Sequence, residues 1–171
     1  MYRLIQRGSF AAIVLAAVLS GTTLAAVPPT EATAFVSSAA QAGSMEVAAA
    51  RQALEVSKND AVLSFASRMI TDHEKAHAEL MQLAAAKRIP FPAALDAAHA
   101  SALEALRGKK GKSFDTAYAR QMVRDHAQAV ELFQANVTHP DGELAAFAAR
   151  TLAVVQEHKR LADNLAANLG K

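Results

Sequence analysis

Six histidines and no cysteine make up the nitrogen and thiol ligand set of this 171-residue chain. His73, His126 and His158 each continue the apolar stripe of a different long helical segment. A further segment carries Glu46 on its inner flank, beside Gly43 and Ala50. Imidazoles and carboxylates that converge from facing helices are how helical bundles hold metal ions. Imidazole suits zinc, iron, copper or nickel, and a carboxylate extends the choice to manganese. Glu46, His73, His126 and His158 are therefore the candidate metal ligands. His77, one turn after His73, would complete an i, i+4 pair. Asp72, Asp125 and Glu157 each precede a histidine and so point about 100° further round the helix. They are candidates to accept an N–H from imidazoles on neighbouring helices.

Depth supports one layer for most of this set. Glu46 lies 13 residues before a bend at Asn59 and His73 lies 14 after it, so their levels agree at a rise of about 1.5 Å per residue. His126 lies 14 residues before a second bend at Pro140 and His158 lies 18 after. That difference puts His158 roughly 6 Å, about one turn, beyond the layer. An internal echo links two of the segments: Met69-Ile70-Thr71-Asp72-His73 and Met122-Val123-Arg124-Asp125-His126 both read Met-[Ile/Val]-x-Asp-His.

Other readings of the same residues stay open. Buried neutral imidazoles bonded to Asp or Glu can be a structural network that fixes helix register. Glu74-Lys75-Ala76-His77 spells the Glu-x-x-His of di-iron bundles, but Val155 stands where a second copy needs Glu, which argues against a carboxylate-bridged pair. Tyr118 reads as core, and His99 and His139, on a short helix and a turn, read as surface. Met45, Met69 and Met122 sit at core spacing, and no haem is expected. There is no Gly-rich phosphate loop, nucleophile elbow or His-Glu-x-x-His helix, so no catalytic residue is assigned and the question of an enzyme stays open.

The elements that must position these groups are helices. About a quarter of the residues are Ala, aromatics make up 5% and Trp is absent, a composition that favours helix over strand. Pro90, Pro92, Gly108, Gly111 and Pro140-Asp141-Gly142 punctuate the chain. Between them, apolar residues recur at three and four, never in strand alternation. The spacing predicts long helices over 31–57, 61–87, from Ser113 to before Pro140, and 143–168, with a short one over 96–107. Asp60 and Ser113 are the expected caps. On the first helix the expected inner face is Val36, Ala39, Ala40, Gly43, Val47, Ala50 and Leu54, with Gly43 permitting close helix contact. Long helices joined by short turns pair as antiparallel hairpins. The expected fold is all-α, an up-down four-helix bundle with a short extra helix in the crossover between helices 2 and 3.

Residues 1–26 read as a signal peptide. Arg3 and Arg7 precede an apolar run over 10–19, too short to span a bilayer, and Thr23-Leu24-Ala25-Ala26 offers small residues for cleavage. The remainder, 27–171, is expected to be a single domain. Removing the leader takes two basic residues and no acid, leaving equal numbers of each sign. A neutral domain offers no footprint for nucleic acid, and no membrane insertion is expected after cleavage. Without Cys there is no disulfide, iron–sulfur cluster, Cys-ligated zinc or lipoprotein anchor.

Phe35-Val36, Met45-Glu46-Val47 and Phe65-Ala66-x-Arg68-Met69-Ile70-x-Asp72-His73 resemble a bacterial secreted family, domain of unknown function 4142. So do Ala94-Leu95-Asp96, Phe114-Asp115-x-x-Tyr118, Met122-Val123-x-Asp125-His126 and Glu157-His158. The resemblance covers about residues 31–168. It implies a ferritin-like fold, a periplasmic or secreted location with possible outer-membrane association, and no settled activity. No alternating barrel strands accompany the family's "outer membrane" label. Two functions follow. One is a periplasmic metal-binding bundle with a divalent ion (iron, zinc, manganese or copper), serving sequestration or an oxidative or envelope stress response. The other is a non-enzymatic envelope protein that binds a protein partner or a second copy of itself. Exposed apolar area around Ile89, Phe91, Leu95, Leu103 and Leu106 would favour that second function.

Overall fold

Side chains that accept from unpaired backbone N–H groups start four of the five helices in the computed structural model, which describes residues 30–170. The expected signal peptide lies outside the described residues. Thr30 caps α1 (Glu31–Val56), Asn59 caps α2 (Asp60–Lys87), Asp96 caps α3 (Ala97–Glu104) and Asp141 caps α5 (Gly142–Leu169). At the second start, Asn59 Oδ1 accepts from Ala61 N and Val62 N at 3.0 and 3.3 Å. The expected cap, Asp60, is instead the first helical residue, where a negative charge favours the helix dipole. α4 (Gly111–Asn136) begins two residues before Ser113, and Lys110 at its cap position makes no side-chain hydrogen bond. Gly111 turns the chain into α4 at φ +52, a conformation that glycine adopts without a Cβ clash.

The four long helices form a ring. α1 packs on α2, α2 on α5, α5 on α4 and α4 on α1, which leaves α2 and α4 across a diagonal. Residues 88–110 run the length of the bundle, so α2 and α4 point the same way. Two antiparallel hairpins joined by one long crossover are the ferritin-like arrangement. Gln41 on α1 clamps this crossover: its Nε2 donates to Ala94 O and its Oε1 accepts from Asp96 N, both at 2.9 Å. The crossover's apolar residues are not an open patch. Ile89 and Phe91 pack on one end of the core, Leu95 and Leu103 on the other, and Leu106 is fully buried.

The core divides in two. One cluster, at the turn between α1 and α2, gathers Met45, Phe65, Met69, Phe114, Tyr118 and Met122. The other, at the opposite end, gathers Phe35, Val36, Leu80, Phe133, Leu144 and Phe147. On α4 the three–four spacing expected of a helix is carried by Phe114, Tyr118, Met122, His126, Ala129 and Phe133, all of them buried. On α1 Val36, Ala40 and Ala50 are buried as expected, but the face is rotated to bring in Phe35, Gln41, Met45, Ala49 and Ala53, while Ala39, Gly43 and Val47 are half-buried and Leu54 is exposed. In an Ala-rich helix many faces carry similar hydrophobicity, so pattern alone orients it poorly. Among the described residues no helix is long and apolar enough to cross a membrane.

Candidate metal centre

Between the two apolar clusters lies a polar layer with one member from each long helix. Glu46 (α1), His73 (α2), His126 (α4) and His158 (α5) are all buried. The imidazole centroids stand 5.7 Å apart for His73 and His126, 5.2 Å for His73 and His158, and 5.4 Å for His126 and His158. His158 is thus in the layer and not a turn beyond it. Helical side chains lean toward the N-terminus of their own helix. His158 therefore leans back toward the second bend and His126 leans away from it, which closes the difference in depth.

Hydrogen bonds fix which nitrogen each ring keeps free. His126 Nδ1 lies 2.9 Å from Met122 O, a carbonyl that can only accept, so Nδ1 carries the proton. His158 Nε2 lies 2.8 Å from Asp72 Oδ2 across the α2–α5 interface, with Nε2–H as the donor. His73 Nδ1 faces Glu46 Oε2 at 3.3 Å, and Glu46 Oε1 lies 3.5 Å from His126 Nδ1. The other nitrogens, His73 Nε2, His126 Nε2 and His158 Nδ1, are buried with no hydrogen-bond partner, as is Glu46 Oε1. Buried polar atoms are rarely left in that state.

Electrostatics gives the three rings one character. Burial pushes the His73 imidazolium well down, and the neighbouring His126 and His158 add to the effect. Burial brings His126 down to about 4, against a smaller upward pull from its bond to Met122. His158 is also lowered by burial, opposed by Asp72. All three are neutral at pH 7 and carry lone pairs. Burial, and then the charge of Asp125, pushes the Glu46 carboxyl well above its usual range. Tyr118, below the layer, has its ionisation opposed by burial and by Glu46, and its hydroxyl also lacks a partner.

One ring nitrogen from each of His73, His126 and His158 lies within 4.8 Å of the other two. Ligands about 2.1 Å from one ion stand roughly 3.4 Å apart in tetrahedral geometry, so the rings need to close by about an ångström or so. Neutral imidazoles with bare buried nitrogens and an adjoining carboxyl fit a divalent cation. Such an ion would satisfy the unpartnered atoms and draw the proton from Glu46.

The remaining sequence candidates are spread around this centre. Asp72 takes the role expected of it, as the acceptor that orients His158. Asp125 does not meet an imidazole of the layer: burial raises its carboxyl, one oxygen has no partner, and it lines a cleft between α1, α3 and α4. Glu157 does not orient a ring either. It is drawn to the surface by Arg160, bonded twice at 2.8 Å, and by Arg68 at 3.7 Å. His77 stays out of the cluster, half-buried with its ring edge-on to Phe91 at a centroid distance of 5.0 Å. His139 is buried, contrary to the surface expectation: its Nδ1 accepts from Asp141 N at 3.0 Å, and the ring packs near Phe35. Sequence reading missed Gln41 and Gln121, two buried amides; Gln121 donates to Met45 Sδ at 3.2 Å. An amide on an otherwise small or apolar helical face was the only signal for either.

A helical bundle of ferritin-like arrangement with a buried three-histidine cluster is the class of protein defined here. The chain belongs to the family described as domain of unknown function (DUF4142), which matches residues 19–165. No curated protein matches it. Among solved structures it is similar to a DUF305 fragment from Deinococcus radiodurans, at 16% identity and a TM-score of 0.73. That match covers 82% of this chain and 99% of the fragment, and it shows a shared fold.

Proposed function

We propose that this protein binds a divalent metal ion at the centre of its bundle, through His73, His126, His158 and Glu46. The reading places it in the periplasm or outside the cell after removal of residues 1–26, where it sequesters metal or serves an oxidative or envelope stress response. One observation carries the proposal: three buried imidazoles from three helices bring one ring nitrogen each within 4.8 Å of the others beside a carboxyl, and each ring keeps a nitrogen without a partner. The donor set, imidazole with carboxylate and no sulfur, suits iron, zinc, manganese or copper. The carboxylate of a proton-releasing Glu46 would balance one unit of the ion's charge, and the neutral imidazoles would donate lone pairs without adding positive charge to a buried site. The alternative, a purely structural polar layer, accounts for the bonds to Met122 and Asp72 but leaves the facing nitrogens without partners.

Elemental analysis of the untagged protein, as purified and after anaerobic loading with each metal, tests the proposal. We expect about one ion per chain, retained through gel filtration and lost in His73→Ala, His126→Ala and His158→Ala. Absence of retained metal under every loading would reduce the histidines to core hydrogen-bonding groups.

A further inference from the structure

The short helix α3 is moored to the bundle mainly through α1. Gln41 ties residues 94 and 96 to that helix, α3 packs chiefly on α1, and none of its own residues is fully buried. A cleft of about 440 Å³ therefore stays open between α1, α3 and α4. Small-molecule sites are commonly roughly 300–1,000 Å³ and mix apolar walls with a few polar groups. Met45, Ala129 and Leu132 supply apolar wall here, and Ser37, Ser38 and Gln128 supply neutral polar groups.

The charged groups of the cleft are unevenly matched. They are Asp96, His99 and Asp125, and neither lysine nor arginine lines it. Asp96 is already engaged. Its Oδ1 accepts from His99 N at 2.9 Å, which caps α3, and lies 2.8 Å from His99 Nδ1. Asp125 has no such match: its Oδ2 is without a hydrogen-bond partner, and Arg124, its neighbour in the chain, is exposed and outside the cleft. A carboxylate drawn part-way out of water is unfavourable without a counter-charge. A metal ion is not the answer here, because these side chains do not gather into a ligand cluster as the three buried histidines do. What the cleft lacks is a single positive charge on a partly apolar body.

We propose that this cleft binds a small organic monocation, a primary ammonium on a short hydrocarbon chain. The ammonium lies against Asp125, and the hydrocarbon lies along Met45, Ala129 and Leu132. This site is separate from the candidate metal centre: none of Glu46, His73, His126 and His158 lines the cleft.

The probes are n-butylammonium, 1-butanol and butyrate, which carry the same chain with a positive, neutral or negative end. An alkylammonium stays protonated at pH 7, as a lysine side chain does. Each is titrated into the full chain while amide shifts are followed by NMR. Alongside the parent stand Asp125→Asn, Ala102→Phe, which fills the cleft from half-buried Ala102 on α3, and Asp163→Asn, a surface carboxylate paired with Lys159. We expect saturable shifts from butylammonium centred on residues 96–102 and 125–132, with butanol and butyrate about tenfold or more weaker. Asp125→Asn should erase the preference for ammonium over alcohol, Ala102→Phe should weaken binding by a similar factor with the fold intact, and Asp163→Asn should match the parent. Absence of saturable binding, equal affinity for butanol and butylammonium, shifts centred elsewhere, or an unchanged preference in Asp125→Asn would overturn the proposal. Should Asp125→Asn fail to fold, undiminished binding in Ala102→Phe would overturn it alone.

Discussion

His158 owes its orientation to one carboxylate on another helix, and that contact can be separated from the ligand itself. With Asp72 accepting from Nε2–H, the ring must offer Nδ1 to the layer. In Asp72→Asn the amide has two possible faces for that nitrogen and no charge to hold the proton on it. We expect metal affinity to fall by ~10–100-fold with the helical content unchanged, as read by competition with a chromophoric chelator. Glu157→Gln, whose hydrogen bonds go to Arg160 and not to a ring of the layer, should lower affinity far less. Protonation makes a second prediction for the metal-free protein. His126 titrates at about 4 when folded and near 6.5 when unfolded. Between those values the unfolded chain binds the extra proton, so stability falls as pH falls, by about 3 kcal/mol for this group. Glu46 acts in the opposite sense. Its raised folded value means that stability is lost as pH rises above the normal carboxyl range. Urea titrations of the chelator-stripped protein should therefore show Glu46→Gln to be more stable than the parent at pH 7, with the difference closing toward pH 4. The same variant should bind metal less tightly.

Gln41 of α1 is the crossover's polar anchor, beside the apolar packing of Leu95, Leu103 and Leu106. Gln41 meets both a carbonyl and an N–H of the 94–96 segment, so Gln41→Ala leaves two backbone groups to find water. We expect a loss of ~1–3 kcal/mol in denaturant unfolding, with faster amide exchange confined first to residues 93–104. This element also shows where sequence reading stops. The long helices were legible because Gly, Pro and the three–four apolar spacing bound them, and the stripe from Phe114 to Phe133 was legible because large side chains mark it. The α1 face was legible only in part, at Val36, Ala40 and Ala50, because alanine lies on all sides and Phe35 and Met45 are outnumbered. The cap positions of α2 and α4, Asn59 and Lys110, lie one and three residues before the expected ones, since neighbouring polar residues compete for the same role. The convergence of Glu46, His73 and His126 was legible from helix face and distance to the bends, whereas for His158 the stripe was right and the distance to the bend put it a turn too far. The choice of free nitrogen was not legible, because it depends on Met122 O and on Asp72 approaching from another helix. Gly43 read as a helix contact, and only the position of His73 Nδ1 shows that the contact is not tight.

At the scale of the molecule, the polar layer separates two apolar clusters that share no buried residue. A bound ion would tie all four long helices at that level and stabilise the folded state by mass action, about 2.7 kcal/mol at a hundredfold excess over the dissociation constant. For a chain of this size that corresponds to a rise in melting temperature of roughly 5–10 °C. Calorimetry with and without a chelator should record it, and the three His→Ala variants should show no metal-dependent shift. The ring order of the helices has one more consequence. Glu46 and His73 belong to the first hairpin, His126 and His158 to the second, and the connection between the hairpins passes Gly108 at φ +76 with nothing packed within 4 Å of a Cβ there. Each hairpin is thus half of a chelator. A chain nicked at Gly108 would lose the effective concentration that the covalent link provides, and the ion itself would become the clasp. Reassociation of the two pieces should then be switched on by metal, reversed by a chelator, and tuned by which ion is supplied.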